Sequence, residues 1–357
     1  MRVLITGNLG YVGPVVTAHL RARLPEAQLI GFDAGYFTHC LTNPRCLPET
    51  PPSTQLTGDI RTISERRLEG IDAIVHLAAI SNDPMGKSFE AATEAINKDA
   101  TIRLAKLARR VGVRAFVFAS SCSIYGSADD GPRSETDAVA PQTAYARSKI
   151  GAELALAAAD PGGMTVTCLR FATACGLSPR LRLDLVLNEF VAAALIAHKI
   201  TVLSDGSPWR PLIDVADMAR AVEWAIQRDP NIGGQFLSVN TGASSSNTQV
   251  RDLANAVAAT IPGTAISVNT AAPADKRSYQ VDFGLFRKLA PDHQPTVMLA
   301  HSIANLKSGL GQIDHLAARI RDNTFVRLST LKAHIDGGKL SAELNWIPPP
   351  SSLESYP

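Results

Sequence analysis

Short apolar runs rich in β-branched residues alternate with amphipathic segments along the first half of the chain. The apolar runs predict strands, and the amphipathic segments, in which apolar residues recur every three or four positions, predict helices. Helices of this length between strands indicate a parallel sheet that is covered on both faces. The pattern therefore predicts an α/β fold built on a doubly wound, Rossmann-like parallel sheet. The predicted strands are Val3–Ile5, Gln28–Phe32, Ala73–Leu77, Ala115–Ala119 and Val166–Arg170, and the predicted helices are Pro14–Arg23, Ala92–Val111 and Tyr145–Ala159.

The regular alternation loosens in the second half. Residues 177–210 are rich in helical pattern and contain several arginines, Gly234–Asn240 returns to a strand pattern, and apolar residues from Ile303 to Ile320 keep a helical period that Gly309 and Gly311 interrupt. The predicted domains are a nucleotide-binding domain (1–176, to which 211–260 return in part), a smaller, mostly helical substrate-binding lid (177–210 and 261–347) and a flexible tail (348–357).

Composition narrows the class of protein. The 357 residues are 45% hydrophobic and 19% charged, and 35 basic residues nearly balance 33 acidic ones. No basic run favours nucleic acid or an anionic membrane as a partner. The five cysteines form no Cys-x-x-Cys pair and the eight histidines no His-x-x-x-His cluster, so we expect neither a disulfide framework nor a metal site. With no signal peptide and no apolar run of about 18 residues, a cytoplasmic location is expected.

A glycine-rich loop, Thr6–Gly13, joins the first predicted strand to the first helix. Glycines at Gly7, Gly10 and Gly13 let backbone N–H groups approach a pyrophosphate, and the helix N-terminus adds positive potential. Asp33 follows Gly13 by twenty residues, at the end of the second strand, where a carboxylate can bind the adenosine ribose and repel a ribose phosphate. This arrangement favours NAD over NADP, although Asp33 could also simply cap a turn.

Further candidates for cofactor binding follow later strands. Asp59, next to Ile60, could accept a hydrogen bond from the adenine amino group or could be an ordinary turn residue. The small residues after His76, in the run Leu77-Ala78-Ala79, would let a flat cofactor pass. His76 itself is expected to be a packed core residue. Asn97 either ties that strand end to the cofactor or is only a polar helix residue.

Tyr145 and Lys149 are four residues apart on a predicted helix and so share one face, about 6 Å apart along its axis. An ammonium so close is expected to lower the pKa of a phenol, which is about 10 when unperturbed, and so to make it a usable acid/base. Small polar residues, Ser120, Ser121 and Ser123, end the preceding strand, where open α/β sheets bind ligands. The alternatives are a solvated helix face for the pair and turn caps for the serines.

Together these motifs resemble the extended short-chain dehydrogenase/reductase family, in its nucleotide-sugar epimerase and dehydratase branch, from Met1 to about Phe283. The resemblance implies NAD as cofactor, Ser121 as the catalytic hydroxyl, Tyr145 as the acid/base, and Lys149 as its partner and a ligand of the nicotinamide ribose. It implies cofactor contacts for Gly7, Gly10, Tyr11, Val12, Gly13, Asp33, Asp59, Ile60, Leu77, Ala78, Ala79, Asn97, Tyr145 and Lys149.

The resemblance also implies a nucleoside diphosphate sugar as substrate. Arg210 and Arg277 match two phosphate-binding arginines, a task that suits the fork of a guanidinium, although an arginine more commonly forms a surface salt bridge. Cys175 stands where the family usually has tyrosine. The predicted substrate contacts are Ser81, Ser121, Cys122, Ser123, Thr173, Asn188, Arg210 and Arg277.

The residues after Ser121 bear on the reaction type. Dehydratases resembling this chain carry Asp-Glu there, whereas this chain has Cys122 and Ser123, which are poor acids and bases at neutral pH. The expectation is a nucleotide-sugar 4-epimerase that forms a transient 4-keto sugar. The alternatives are a 4-dehydrogenase or 4-ketoreductase of the same family and, in a different class, a redox regulator that binds NAD without turnover. Family members commonly pair through the helices that correspond to Ala92–Val111 and Tyr145–Ala159, so a homodimer is expected.

Overall fold

The computed structural model of the chain describes residues 1–43, 51–127, 131–271, 278–321 and 324–348. The strands are β1 (Arg2–Thr6), β2 (Gln28–Asp33), β3 (Thr54–Thr57), β4 (Ala73–His76), β5 (Ala115–Ser121), β6 (Thr165–Phe171), β7 (Thr173–Cys175), β8 (Lys199–Val202), β9 (Trp209–Asp214), β10 (Phe236–Thr241), β11 (Asn247–Gln249) and β12 (Ala265–Val268). The α-helices are α1 (Gly13–Arg23), α2 (Asp83–Ser88), α3 (Glu90–Glu94), α4 (Ala100–Arg110), α5 (Ala144–Ala158), α6 (Val186–Ala197), α7 (Val215–Gln227), α8 (Val250–Thr260), α9 (Gly284–Leu289), α10 (Leu299–Gly311), α11 (Leu316–Arg321) and α12 (Arg327–Asp336).

Within the described residues, seven parallel strands form the central sheet in the order β10-β6-β5-β4-β1-β2-β3. The order reverses at β1, whose two neighbours, β2 and β4, are reached by crossovers in opposite directions. Open α/β sheets bind ligands at the carboxyl ends of the strands beside such a switch point. The Rossmann-like fold predicted from the sequence is confirmed.

The inner strands are apolar on both faces because helices cover the sheet on both sides. Val3 and Ile5 of β1 pack into the core beneath α1, while Leu4 points to the opposite core beneath α4. All three side chains are fully buried, which contributes about 1.5–3 kcal/mol each. The sheet is therefore a rigid platform whose carboxyl edge can hold a site in a fixed geometry.

Two smaller sheets lie beyond the central one. One has the order β11-β9-β7 and the other pairs β12 with β8. A third apolar core joins them to α6, α8 and α10, through residues such as Leu187, Leu253 and Leu306. In the part of the chain that the structure describes, no helix combines the length and the apolar character needed to cross a membrane.

Several elements differ from the sequence-based predictions. Residues 177–210 contain one helix, α6, and two strands rather than mostly helix, and α10 continues through Gly309 to Gly311. Gly309 is accommodated because the side chain of Leu177 occupies the space that a Cβ would fill, at 2.5 Å. The helix predicted over Ala92–Val111 is α3 and α4 joined by a π-helical segment, Ala95–Asp99.

The last described segment contacts both parts of the protein. Phe325 is buried in the core of the predicted lid and Arg327 donates to the Arg180 oxygen at 2.8 Å, but the residues that follow pack against the nucleotide-binding half. Leu331, Leu340 and Leu344 are buried in the core that also holds Tyr36 and Ile60 of the first half. The Tyr36 hydroxyl donates to the Leu344 carbonyl at 2.5 Å. Leu331, Leu340 and Leu344 therefore add to the core of the nucleotide-binding half, whereas the sequence pattern places them in the lid.

Candidate active site

A cavity of about 740 Å³ opens over the carboxyl ends of β1, β4 and β5. One end is formed by the glycine-rich loop and the ends of β2 and β4, the other by the end of β5, the start of α5 and the second half of the chain. Most of the predicted site residues line it: Gly7, Gly10, Tyr11, Val12, Asp33, Asp59, Ile60, Leu77, Ala78, Ala79, Ser81, Ser121, Ser123, Tyr145, Lys149, Thr173 and Arg210.

The glycine-rich loop packs directly against the strand ends below it. Gly7 has φ = +72°, and a Cβ there would lie 2.6 Å from the Ala78 nitrogen. Gly13 does not line the cavity; a Cβ on it would lie 2.4 Å from the Asn8 backbone. Gly7 thus lets the loop approach the backbone of Ala78, and Gly13 lets helix α1 begin close to Asn8 of the loop.

Asp33 joins the loop to the end of β2. Its carboxylate accepts hydrogen bonds from the backbone nitrogens of Leu9 at 3.0 Å and Gly35 at 2.7 Å. Burial raises the pKa of this carboxyl, and the two backbone donors oppose that rise. Asp33 therefore caps the turn and also presents a carboxylate edge to the cavity.

Asp59 lies at the same end of the cavity. Arg61 donates to the Asp59 carboxylate at 2.6 Å, and the Arg61 nitrogen is capped by the same carboxylate at 2.8 Å. Both Asp59 oxygens accept from the Arg61 side chain, at 3.0 Å and 2.6 Å, so Asp59 holds this turn, and it also lines the cavity where an adenine would lie in the predicted cofactor site.

Asn97 and His76 are buried below the cavity rather than on its surface. Asn97 accepts from the Ile80 nitrogen at 2.8 Å and donates to the Ile80 oxygen at 2.9 Å, so it holds the cavity-lining loop after β4 without facing the cofactor space. His76 hydrogen-bonds Thr6 at 2.7 Å and Thr101 at 2.8 Å. Burial lowers the pKa of His76 to about 3, so it is a neutral core residue, as predicted.

Tyr145, Ser121 and Lys149 converge where β5 ends. Lys149 Nζ donates to the Ala119 oxygen at 2.7 Å and lies 4.7 Å from the centre of the Phe118 ring. Burial raises the pKa of Tyr145 to about 12, while a hydrogen bond with Ser121 and the nearby Arg182 charge act to lower it. Burial also lowers the pKa of Lys149 to about 7.

These positions change the expected electrostatics of the pair. The sequence suggested that the Lys149 ammonium would lower the phenol's pKa, but burial dominates and Ser121 is the main group opposing it. The physical reason is that Lys149 points its Nζ at a backbone carbonyl and is itself poorly solvated. Burial is therefore the main control on the phenol's pKa, and Ser121 is the largest contribution that lowers it.

At the other end of the cavity, two predicted substrate contacts turn away from it. The Cys122 thiol donates to the Arg170 oxygen at 3.0 Å, and burial raises its pKa, so it stays a neutral thiol inside the core. The buried Asn188 side chain accepts from the Gly176 nitrogen at 3.0 Å and donates to the Arg182 oxygen at 2.9 Å. Arg277 lies outside the described residues.

The structure adds residues that the sequence did not single out. Arg182 lines the cavity, donates to Ser81 at 2.9 Å and is held by Asp184 at 2.8 Å. Asp83 lines it too and accepts from the Thr143 hydroxyl at 2.7 Å. For Arg182 and Asp184 the only sequence signal was their spacing. Side chains two residues apart lie on the same side of an extended segment and can meet.

Comparison with known proteins identifies the family. A model described as "NAD dependent epimerase/dehydratase family" matches residues 3–239, well over half of the chain. The chain belongs to this family. The resemblance inferred from the motifs is confirmed, this family member is an NAD-dependent enzyme, and NAD is its cofactor.

Similar proteins are named for different reactions. The uncharacterised UDP-glucose epimerase YtcB of Bacillus subtilis is 29% identical over 71% of this chain and 81% of its own length. A dTDP-glucose 4,6-dehydratase of Streptomyces griseus is 27% identical over 70% of this chain and 76% of its own. The solved structure of MoeE5 in complex with UDP-glucuronic acid and NAD is 27% identical, with a TM-score of 0.74 over 87% of this chain and 99% of that one.

The residues that line the cavity of this epimerase/dehydratase family member fit NAD in their chemistry. Residues of the glycine-rich loop line one end, where a Cβ at Gly7 would lie 2.6 Å from the Ala78 nitrogen. Asp33 offers a carboxylate to a ribose, and Tyr145 and Lys149 lie at the opposite end. Among the described residues, no group of three His, Cys, Asp or Glu side chains is arranged to hold a metal ion.

Proposed function

We propose that this protein is a nucleotide-sugar 4-epimerase that works through a transient 4-keto sugar. The observation that carries the proposal is the shared cavity: Ser121, Tyr145 and Lys149 line the same space as the glycine-rich loop and Asp33. A sugar hydroxyl and the reactive end of a dinucleotide can therefore meet beside one phenol. Proton transfer by a positioned side chain contributes about 10²–10⁴-fold to such reactions.

Each residue has a defined task in this proposal. Tyr145, as phenolate, takes the proton from the sugar's 4-hydroxyl and later returns it. Ser121 hydrogen-bonds the phenol, lowers its pKa and holds the same sugar oxygen. Lys149, anchored on the Ala119 oxygen at 2.7 Å, fixes the helix face beside the cofactor space. NAD, when bound, supplies the hydride acceptor and donor, so the reaction needs no net oxidant.

The residues after Ser121 favour epimerisation over dehydration. Eliminating water requires an acid and a base aimed at the neighbouring sugar carbons. Cys122 is buried and bonded to the Arg170 oxygen at 3.0 Å, and Ser123, which lines the cavity, is a hydroxyl that does not ionise near neutral pH. Elimination at this position therefore lacks the acid/base pair that the motif would need.

The substrate in this proposal carries a nucleoside diphosphate. Arg210 lines the sugar half of the cavity, where a guanidinium can pair with two phosphate oxygens. The names of the relatives above refer to UDP-glucose and dTDP-glucose, which supports the same substrate class for this chain. We further propose a cytoplasmic homodimer; Leu154, 62% exposed on α5, is available for a partner subunit.

The decisive experiment is a substrate screen on the NAD-loaded protein. UDP-, dTDP-, GDP-, CDP- and ADP-hexoses would be incubated separately and followed by NMR and mass spectrometry. Inversion at carbon 4 without a change in mass supports the proposal. Loss of one water would indicate a dehydratase, and stoichiometric NADH a dehydrogenase or ketoreductase. NAD binding with no conversion of any sugar would favour a redox regulator that binds NAD without turnover.

A further inference from the structure

Helix α5 faces the end of β5 at three successive turns. Tyr145, Lys149 and Glu153 are spaced four residues apart and so share one helix face. Tyr145 shares the cavity with Ser121, which acts to lower the phenol's pKa, and Lys149 Nζ donates to the Ala119 oxygen at 2.7 Å. The third connection is formed by Ser120, whose hydroxyl donates to Glu153 Oε2 at 2.8 Å.

The other Glu153 oxygen binds the neighbouring strand. Arg170 of β6 donates from Nε to Glu153 Oε1 at 2.8 Å and makes a second bond to the same oxygen from its terminal nitrogen. Arg170 lies directly opposite Ser120 in the register of β5 and β6. The Arg170 guanidinium also donates to the Tyr125 hydroxyl at 3.0 Å. Ser120, Glu153 and Arg170 are all buried.

This buried pair is difficult to explain by stability alone. Taking two charges out of water costs several kcal/mol per ion, and well-packed apolar residues often serve stability equally well. Such a pair does fix the orientation of the groups it binds, since each hydrogen bond restricts an angle as well as a distance. Here the oriented Glu153 carboxylate binds Ser120, the residue next to Ser121.

We propose that Glu153 is a positioning residue that, through Ser120, sets the distance between the Ser121 hydroxyl and the Tyr145 phenol. This inference rests on the proposed function, because it gives those two groups a task in proton transfer. With Ser120 held by Glu153 and Ala119 held by Lys149, the end of β5 cannot rotate relative to α5. Small misplacements of catalytic groups cost large factors in rate, about 10²-fold for 1 Å.

Ser120→Ala tests this with little risk to folding. It removes the link between β5 and the ion pair but leaves Glu153 and Arg170 paired, whereas Glu153→Gln would leave a buried arginine without its counter-charge. Ser238→Ala on β10 is the matched control, a hydroxyl deletion on another strand of the same sheet. All variants would be compared as NAD-loaded protein, with thermal stability measured alongside.

We expect Ser120→Ala to lower kcat by about 10-fold while KM and bound NAD change less than about 2-fold. The rising limb of the kcat–pH profile should move to higher pH, because the Ser121 hydrogen bond would no longer lower the phenol's pKa as effectively. Ser238→Ala should change neither kcat nor the pH profile. A Ser120→Ala protein with wild-type kcat and pH profile would overturn the inference, as would equal losses in both variants.

A crystal structure of the NAD-loaded Ser120→Ala protein gives a second readout that needs no substrate. The distance from Ser121 Oγ to Tyr145 Oη should be longer than in the wild type. An unchanged distance would refute the positioning role whatever the enzyme turns over. Failure of the substrate screen with a lengthened distance would instead refute the proposed reaction and leave the positioning role standing.

Discussion

Lys149 Nζ lies 5.8 Å from the centre of the Tyr145 ring, one turn further along α5. Burial acts on the two groups in opposite directions: it raises the pKa of Tyr145 to about 12 and lowers that of Lys149 to about 7. Both shifts favour the neutral side chain. Burying Lys149, which is only partly protonated near neutral pH, therefore lowers the free energy of unfolding, and this effect should be measurable.

The first prediction concerns stability against pH. Unfolded Lys149 has an ordinary pKa near 10.4, so above pH 7 the unfolded chain binds more protons than the folded one, and stability rises with pH. Between about pH 6 and pH 9 this contributes about 2–3 kcal/mol. We expect the wild type to show this gain in denaturant unfolding and Lys149→Met to lack it. Equal pH slopes in both proteins would show that Lys149 is not desolvated.

The second prediction concerns the phenol. Tyr145→Phe removes the acid/base and its hydrogen bond with Ser121 while keeping the ring. Turnover should fall by about 10²–10⁴-fold. Bound NAD, measured by absorbance after denaturation, should stay near the wild-type amount, because Asp33 and the glycine-rich loop at the far end of the cavity are untouched. Substantial turnover in this variant would remove Tyr145 from the mechanism.

The sequence was a good guide to the fold and to the cofactor end of the site. Alternating strand and helix patterns predicted β1 to within one residue at each end, because its apolar residues are buried on both faces and leave a continuous run. The glycine-rich loop could also be predicted from the sequence, because its close contacts are local. Gly13 packs against Asn8 of the same motif, and Gly7 packs against Ala78 at the end of the neighbouring strand.

The sugar end was predicted less well, because its geometry depends on contacts between residues far apart in sequence. Cys122 and Asn188 were expected to face the substrate, yet each bonds to a backbone carbonyl that only the folded chain brings near, those of Arg170 and Arg182. Arg182 was missed for the same reason, since its link to Ser81 spans 101 residues. The pKa of Tyr145 depends on burial, which spacing along a helix does not reveal.

The third prediction tests the phosphate-binding role of Arg210. Arg210→Gln should raise KM for the nucleotide sugar by about 10-fold or more and change kcat much less, because a contact to the diphosphate is made equally in the ground state and the transition state. Arg251→Gln is the control; Arg251 is exposed and donates to Gln249 at 2.7 Å. Equal KM values in the two variants would argue against Arg210 as a phosphate ligand.

The fourth prediction separates packing at the glycine-rich loop from simple backbone strain. A Cβ on Gly13 would lie 2.4 Å from the Asn8 backbone, so Gly13→Ala must push the loop away from α1. Gly112 has φ = +81°, and apart from its chain neighbours no atom of the described residues lies within 4 Å of an added Cβ, so Gly112→Ala costs only the strain of a left-handed residue, about 1–3 kcal/mol.

We therefore expect both alanine variants to lose thermal stability, but only Gly13→Ala to lose NAD. The measurement is bound NAD per protomer alongside the melting temperature of each variant. Because the loop nitrogens must approach the pyrophosphate closely, even a small displacement weakens several hydrogen bonds at once. Full NAD content in Gly13→Ala would mean that the loop can move aside without disturbing the cofactor cradle, and that the tight contact with Asn8 serves only the packing of α1.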